Sequence, residues 1–356
     1  FICKYFHENV DFTYKRRYHH NYNMEKKRGE TMKKLMGILA VCLLISGCGT
    51  KNEEAKPETA KTYKIGIVQH MTHPALDSAK EGFTKYLKGK GIQVEFVEKN
   101  AIGDTATNDI ITKQFVSDDV DLIYAIATPS ALAAANATVG KDTPVVFNAV
   151  TDAVDAKLVK SNEEPGANIT GVSDAAPLET QVKLIRTFLP KAKKIGMIYN
   201  IGEPNGKLQV EQVEKMAPDY GFTVVKKGIS QASEITTAAQ QLASSCDCIY
   251  NITDNSVVAA TATITDKATN AKIPVFAAED GQMKSGLLAS DSISYEKLGE
   301  QAGAMAYDIL VNGKKPSAIP VETAKETKLM INKKVAEKLQ INIPDDLAKR
   351  ATFIEE

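Results

Sequence analysis

The chain carries one α/β pattern written twice. Lys64-Ile65-Gly66-Ile67-Val68 returns as Lys194-Ile195-Gly196-Met197-Ile198, and Gly91-Ile92-Gln93-Val94-Glu95 returns as Gly221-Phe222-Thr223-Val224-Val225, both at an offset of 130 residues. Asp121-Leu122-Ile123-Tyr124 is answered by Asp247-Cys248-Ile249-Tyr250, and Thr143-Pro144-Val145-Val146-Phe147 by Ile273-Pro274-Val275-Phe276. Four markers in one order at nearly one spacing mean two copies of a structural unit. Each marker is a short apolar run rich in β-branched residues, and helical spacing fills the gaps, as along Leu76, Ala79, Phe83 and Leu87. Strands that alternate with helices build parallel sheets covered on both faces. The fold expected is therefore α/β, two similar Rossmann-like lobes joined by a hinge. Residues 62–173 form lobe one and 174–290 lobe two, which opens with a helix over Leu178–Phe188. Residues 291–356 supply a C-terminal helix, Tyr295–Val311, and a tail that crosses the hinge. Asn168–Asp174 is expected to carry the first crossing, and Gly286–Ala289 to form a strand.

The sequence ahead of this body differs from it in charge. Residues 1–31 hold 7 Lys/Arg and 4 Asp/Glu, and everything after residue 47 holds 35 basic against 40 acidic residues. An overall charge of +0 gives no basic field that would attract nucleic acid. Residues 1–31 read as a non-native or disordered upstream segment rather than a nucleic-acid arm. Lys27-Arg28-Gly29-Glu30 can be encoded by a purine run, as a ribosome-binding site ahead of Met32 would be. Met32-Lys33-Lys34, the uncharged apolar run Leu35–Ile45 and the small residues Ser46-Gly47 before Cys48 have the layout of a signal peptide over 32–47. Its end resembles the bacterial lipobox, in which the Cys thiol receives diacylglycerol and becomes the mature N-terminus. The run is too short to span a bilayer. Residues 48–61 are polar and read as a lipid-anchored tether. Cys246 and Cys248 are then left in the body; two ligands are too few for a structural zinc site. Spaced as on a strand, they read as core residues sharing one face.

In open parallel sheets, ligands bind beyond the carboxyl ends of the strands. With two lobes, both sets of ends point into one cleft. The loops there offer Gln69 and His70; Thr128, Ser130 and Ala131; Asn148, Thr151 and Asp152; Tyr199 and Asn200; Asp254 and Asn255; Glu279 and Asp280. Thr128-Pro129-Ser130 is the most informative group. Thr128 can cap the following helix, and Pro129 suits its first turn. Free N–H groups of Ser130 and Ala131, with two hydroxyls, would seat a carboxylate. Asp and Asn residues facing it could hold an ammonium group. Tyr199, His70 and Met71 offer surface for a ring. The competing reading of Thr128, Asp254 and Asn255 is plain helix capping.

His70 and His73 give two imidazoles without a third ligand, so no metal is expected. No Gly-x-Ser-x-Gly elbow appears, and Gln69–Pro74 lacks the glycines of a dinucleotide fingerprint. Neither catalysis nor a cofactor is expected.

Taken together, the lipobox, Lys64-Ile65-Gly66-Ile67, His73-Pro74-Ala75-Leu76-Asp77 with Gly82-Phe83, Ala127-Thr128-Pro129-Ser130-Ala131 and Val146-Phe147-Asn148-Ala149-Val150-Thr151-Asp152 resemble one family. It is the ABC-transporter substrate-binding lipoproteins associated with tryptophan and tyrosine uptake, with a periplasmic-binding-protein-like fold. The resemblance covers about residues 62–345. It implies a monomer, anchored by lipid on Cys48 to the extracytoplasmic face of the cell membrane, that holds an aromatic amino acid between two closing lobes. It also implies that permease and ATPase are separate chains. The alternatives are a surface adhesin on the same fold and a binding protein for another small ligand such as a sugar. A sugar-responsive regulator would need a helix-turn-helix where the lipobox stands.

Overall fold

The computed structural model describes residues 61–175 and 177–354; the signal peptide, Cys48 and the tether through Ala60 lie outside them. The first sheet has the order β2-β1-β3-β4-β5, with β1 at Thr62–Gln69, β2 at Gln93–Asn100, β3 at Leu122–Ile126, β4 at Val145–Val150 and β5 at Ile169–Ser173. The second has the order β12-β11-β10-β9-β8-β6-β7. Its strands are β6 Lys194–Asn200, β7 Thr223–Ile229, β8 Cys248–Asn251, β9 Val275–Ala277, β10 Ala289–Ser292, β11 Lys328–Asn332 and β12 Thr352–Ile354. The repeated markers occupy matching places, since β2-β1-β3-β4 and β7-β6-β8-β9 are one arrangement. Asp121 and Asp247 perform the same task in each copy. The first accepts from the Lys64 N–H and the second from the Lys194 N–H, both at 2.8 Å, which pins the start of the central strand. All pairings are parallel except β10 with β11.

Strand alternation sorts the core. Leu122, Tyr124 and Ile126 of β3 face one apolar cluster of the first sheet, and Ile123 and Ala125 face the other. Cys248 and Tyr250 of β8 behave alike on one side of the second sheet, with Ile249 on the other. The two cysteines do not share a face. Cys246 precedes β8 and packs with Leu242 in one cluster, while Cys248 packs in the opposite one. Both are buried free thiols, and burial pushes both thiols up.

Three further departures from the sequence reading follow from pairing. Residues 169–173, expected to cross between lobes, instead form β5 beside β4, and the chain leaves the first sheet only after Ser173. The expected strand at 286–289 is displaced to Ala289–Ser292, because Gly286, at φ +88°, ends the tight helical turn Asp280–Ser285. The antiparallel β11 was not anticipated.

The helices, in chain order, are α1 Pro74–Gly89, α2 Thr105–Ser117, α3 Thr128–Ala137, α4 Leu178–Phe188, α5 Pro204–Met216, α6 Ile235–Ala243, α7 Asn255–Ala259, α8 Thr261–Asn270, α9 Tyr295–Leu310, α10 Lys333–Leu339 and α11 Asp345–Arg350. After β10 the chain returns to the first lobe. There Leu298, Ala302, Met305 and Ala306 of α9 join Phe83 and Leu87 of α1 in one cluster. Residues 319–322 then run beside β5, with the Ser173 N–H donating to Glu322 O at 2.8 Å, before β11 re-enters the second sheet. Among the described residues, three segments thus join the lobes.

Glycines set the α1–α9 contact. A Cβ at Gly299 would stand 2.1 Å from Ala79 O, and one at Gly82 2.0 Å from Glu296 O. Gly299→Ala is therefore expected to destabilise the protein by about 1–3 kcal/mol, the usual cost of overpacking. Gly89→Ala, where an added methyl meets nothing within 4 Å, is the control and should be neutral or slightly stabilising. Chemical denaturation of the two variants checks both.

Candidate functional site

Loops and helix starts from both sheets meet where the strands end, and polar side chains are buried there in number. On the first lobe, β3 runs into α3 through Ala127, whose φ of +80° and ψ of 156° lie in a region that glycine alone occupies without strain. The turn starts the ten-residue α3 directly at the end of β3. The Ala131 N–H is already satisfied by Ala127 O at 3.0 Å, so it offers nothing to a ligand. Thr128 and Ser130, in the first turn, keep N–H groups that no intrahelical carbonyl can reach. Thr128 caps nothing; its Oγ1 is buried without a hydrogen-bond partner. The Ser130 hydroxyl donates to Asn108 Oδ1 at 2.7 Å.

Asn108, on α2, was not among the sequence candidates. Its Nδ2 donates to Asp104 O at 3.1 Å and meets His70 Nδ1 at 2.9 Å. The spacing of Asn108 from Asp104, which caps α2, was the available signal. His70 is buried, and burial holds its imidazole below the usual range. Gln69 is tied to Asp77 Oδ1 at 2.7 Å.

Several candidates are occupied by local structure. Asn148 donates to the Tyr124 hydroxyl at 2.8 Å and accepts from the Ala149 N–H, serving the core and a bulge in β4. Asp152 accepts from the N–H groups of Val154 and Asp155 in a tight turn. Asp254 caps α7 through the Val257 N–H and accepts from the Asn200 N–H at 2.7 Å. Both its oxygens are therefore engaged, and burial raises it well above the carboxylate range, with the charge of Glu203 adding to the effect. Asn200 donates to the Ser256 hydroxyl and accepts from Gly202. The half-buried Tyr199 lies against β7; a Cβ on Gly228 would stand 3.2 Å from its hydroxyl. That places the ring over the sheet's edge strand.

Among the described residues, side chains of the strand-end loops meet across the lobes. Thr151 and Thr253 meet at 3.4 Å between hydroxyls. His73 Nε2 meets Asn255 Oδ1 at 3.1 Å, both buried. Asn255 is held in turn by Glu203. The Asn255 N–H and Nδ2 donate to Oε2 at 3.0 and 2.6 Å, and Ser256 N–H and hydroxyl donate to Oε1 at 3.1 and 2.9 Å. Glu203 precedes Pro204 as His73 precedes Pro74, at the same 130-residue offset. Glu203 was not a sequence candidate, and His73 stood only in the loop after the first strand and in the discarded metal pair, although the repeat carried the signal.

Two buried carboxyls complete the junction. Glu279 accepts from the Gly281 N–H through Oε2, and its Oε1 is buried without a partner. Burial, reinforced by the neighbouring charges of Asp280 and Asp174, pushes it up to about 8. Asp174, just beyond β5, accepts from the Tyr295 hydroxyl at 2.5 Å on Oδ2, and its Oδ1 is likewise unpartnered. Burial raises Asp174 too. Asp280 is raised to about 6, mainly by burial. The arrangement thus sets unfilled donors at the start of α3 and unfilled acceptors on Glu279 and Asp174. Among the described residues, no group of three or more His, Cys, Asp or Glu converges as a metal site.

A family model described as ABC transporter substrate binding protein matches residues 64–354. The chain belongs to that family. Its relatives include the tyrosine-binding protein of Clostridioides difficile strain R20291, 44% identical over 309 residues that cover 84% of this chain and 88% of that protein. A Streptococcus pneumonia protein solved in complex with L-Trp is 35% identical, with a TM-score of 0.79 over 82% of this chain and 99% of its own. A substrate-binding protein with adhesive properties from Clostridium difficile, in its ligand-free, open structure, is 40% identical over the same shares with a TM-score of 0.64. The substrate-binding protein described here thus sits nearer in shape to the L-Trp complex, despite the lower identity. Its two-lobed sheets are periplasmic-binding-protein-like, as the family resemblance implied.

Proposed function

We propose that this substrate-binding protein captures an aromatic amino acid as a zwitterion between its lobes and delivers it to an ABC importer. The observation that carries the reading is the polarity of the unfilled groups. Thr128 Oγ1 and the first-turn N–H groups of α3 suit a carboxylate, and the unpartnered oxygens of Glu279 and Asp174 suit an ammonium group. The names of the tyrosine-binding and L-Trp-bound relatives support an aromatic side chain. The ligand is bound and released unchanged, without a cofactor. Contact with both lobes stabilises the closed form by the difference in the ligand's contacts with the two forms.

A thermal-shift screen of the twenty amino acids and simple sugars tests this. Tyrosine and tryptophan should raise the melting temperature most; a sugar doing so alone would overturn the reading. The chain has Trp 0, so bound tryptophan reports through its own fluorescence.

The finer assembly belongs to the same proposal: a monomer held at the extracytoplasmic face by lipid on Cys48, with permease and ATPase on separate chains. Among the described residues, no helix is long and apolar enough to cross a membrane. Cys48→Ala should abolish lipid labelling and move the protein to the aqueous phase in detergent partitioning. A second role in surface adhesion is favoured by the adhesive relative; binding of the purified body to host cells would register it.

A further inference from the structure

Two buried imidazoles stand at the lobe junction, and an asparagine fixes where each carries its proton. Asn255 turns its Nδ2 to the carboxylate of Glu203, so its Oδ1 faces His73 and the His73 Nε2 must be the N–H. Burial lowers the His73 proton affinity, which leaves the ring neutral and its Nδ1 a bare lone pair. That Nδ1 is buried and has no partner. His70 is wired the opposite way. Asn108 turns its Nδ2 toward the Asp104 carbonyl, so His70 Nδ1 accepts and Nε2 carries the hydrogen. The two rings are close enough for the charge on one to disfavour charge on the other. The junction therefore presents one acceptor and one donor from two imidazoles, His70 held by a network of its own lobe and His73 by one that belongs to the second lobe.

We propose that His73 Nδ1 accepts a hydrogen carried by the ligand's ring, which makes it a specificity-determining residue for phenol and indole side chains over a plain phenyl ring. This rests on the aromatic amino-acid reading above and adds the group that discriminates within it. A buried acceptor left unpaired is costly, and a ligand that supplies the missing hydrogen is favoured over one that does not. A tyrosine hydroxyl or an indole N–H can supply the hydrogen that His73 Nδ1 lacks, and phenylalanine cannot.

The test is the affinity ratio among three ligands, measured by calorimetry on the full chain and on His73→Leu. His73 makes no side-chain cap to α1, so the substitution leaves that helix its own start. In the unaltered protein, tyrosine and tryptophan should bind about tenfold or more tightly than phenylalanine. In His73→Leu they should lose at least tenfold more affinity than phenylalanine loses. An equal loss for all three would show that His73 only latches the lobes, and would overturn the proposal. Nitrogen-15 spectra of histidine-labelled protein give a second readout that does not depend on the variant folding. The unprotonated Nδ1 resonance of His73 should move on adding tyrosine or tryptophan and stay on adding phenylalanine; no movement with any of them overturns the proposal. If none of the three binds the unaltered protein, the aromatic reading itself fails and takes this inference with it.

Discussion

Glu279→Gln is expected to weaken capture of tyrosine or tryptophan by about a hundredfold at pH 8 and to abolish most of its pH dependence. Glu279 is fully buried with an unpartnered Oε1, and its proton is held up to about 8 by burial and by the charge of Asp280. An ammonium group binds the ionised form, so the empty protein must give up a proton first. Affinity should therefore rise by about tenfold per pH unit toward pH 8 and level off above it. Calorimetry in buffers of different ionisation enthalpy should register nearly one proton released at pH 7. The stability of the empty protein runs the other way. Because the folded-state value lies above that of the unfolded chain, near 4.3, the contribution is fully present below about pH 4. It is lost as pH rises toward 8, by roughly 5 kcal/mol. Glutamine should remove that share of the slope, since it cannot ionise, while Asp280, raised to about 6, keeps its own. A variant that kept the wild-type pH profile would place the ammonium elsewhere.

The second large effect belongs to Glu203. Its two oxygens take four hydrogen bonds from Asn255 and Ser256, and through Asn255 they orient the His73 contact between lobes. Glu203→Leu keeps the volume roughly constant but strips two backbone N–H groups and two side chains of their acceptor in a buried setting. The expected loss is about 3–5 kcal/mol of unfolding free energy, since each buried donor left without its acceptor costs about 1–3 kcal/mol. Guanidinium denaturation measures it. The empty variant should also scatter with a larger radius of gyration, because the Asn255 amide is no longer held toward His73. Glu203→Gln, which retains one acceptor oxygen, should fall between the two.

Much of the fold was legible because it is written twice. The offset of 130 aligned β1 with β6 and β2 with β7, and the Asp121 and Asp247 anchors recur with the markers. The edges were harder. Ile169–Ser173 reads as a link between lobes until its pairing with β4 is seen, and nothing local says that β11 runs antiparallel. At the site, strand-end loops were the right places, but residue type alone could not separate ligand-facing groups from caps. Asp254, Asp152 and Asn148 are polar residues at strand ends whose hydrogen bonds close locally. Glu279 and Asp174 look similar in sequence and keep an unfilled oxygen. The difference lies in which backbone N–H groups happen to fall within reach, a matter of tertiary geometry. Glu203 and His73 were recoverable, since each precedes the proline that starts the first helix of its repeat.

The central claim is a seat for both ends of an amino acid, and one titration series addresses it. L-Tyrosine, its decarboxylated counterpart tyramine and its deaminated counterpart 3-(4-hydroxyphenyl)propionate are titrated into the protein at pH 8 by calorimetry. The expected result is one site for tyrosine, with tyramine and the propionate each weaker by a hundredfold or more, since each leaves either the start of α3 or the Glu279–Asp174 pair unfilled. Binding of tyramine or the propionate as tight as that of tyrosine, or no heat with any of the three, would contradict it.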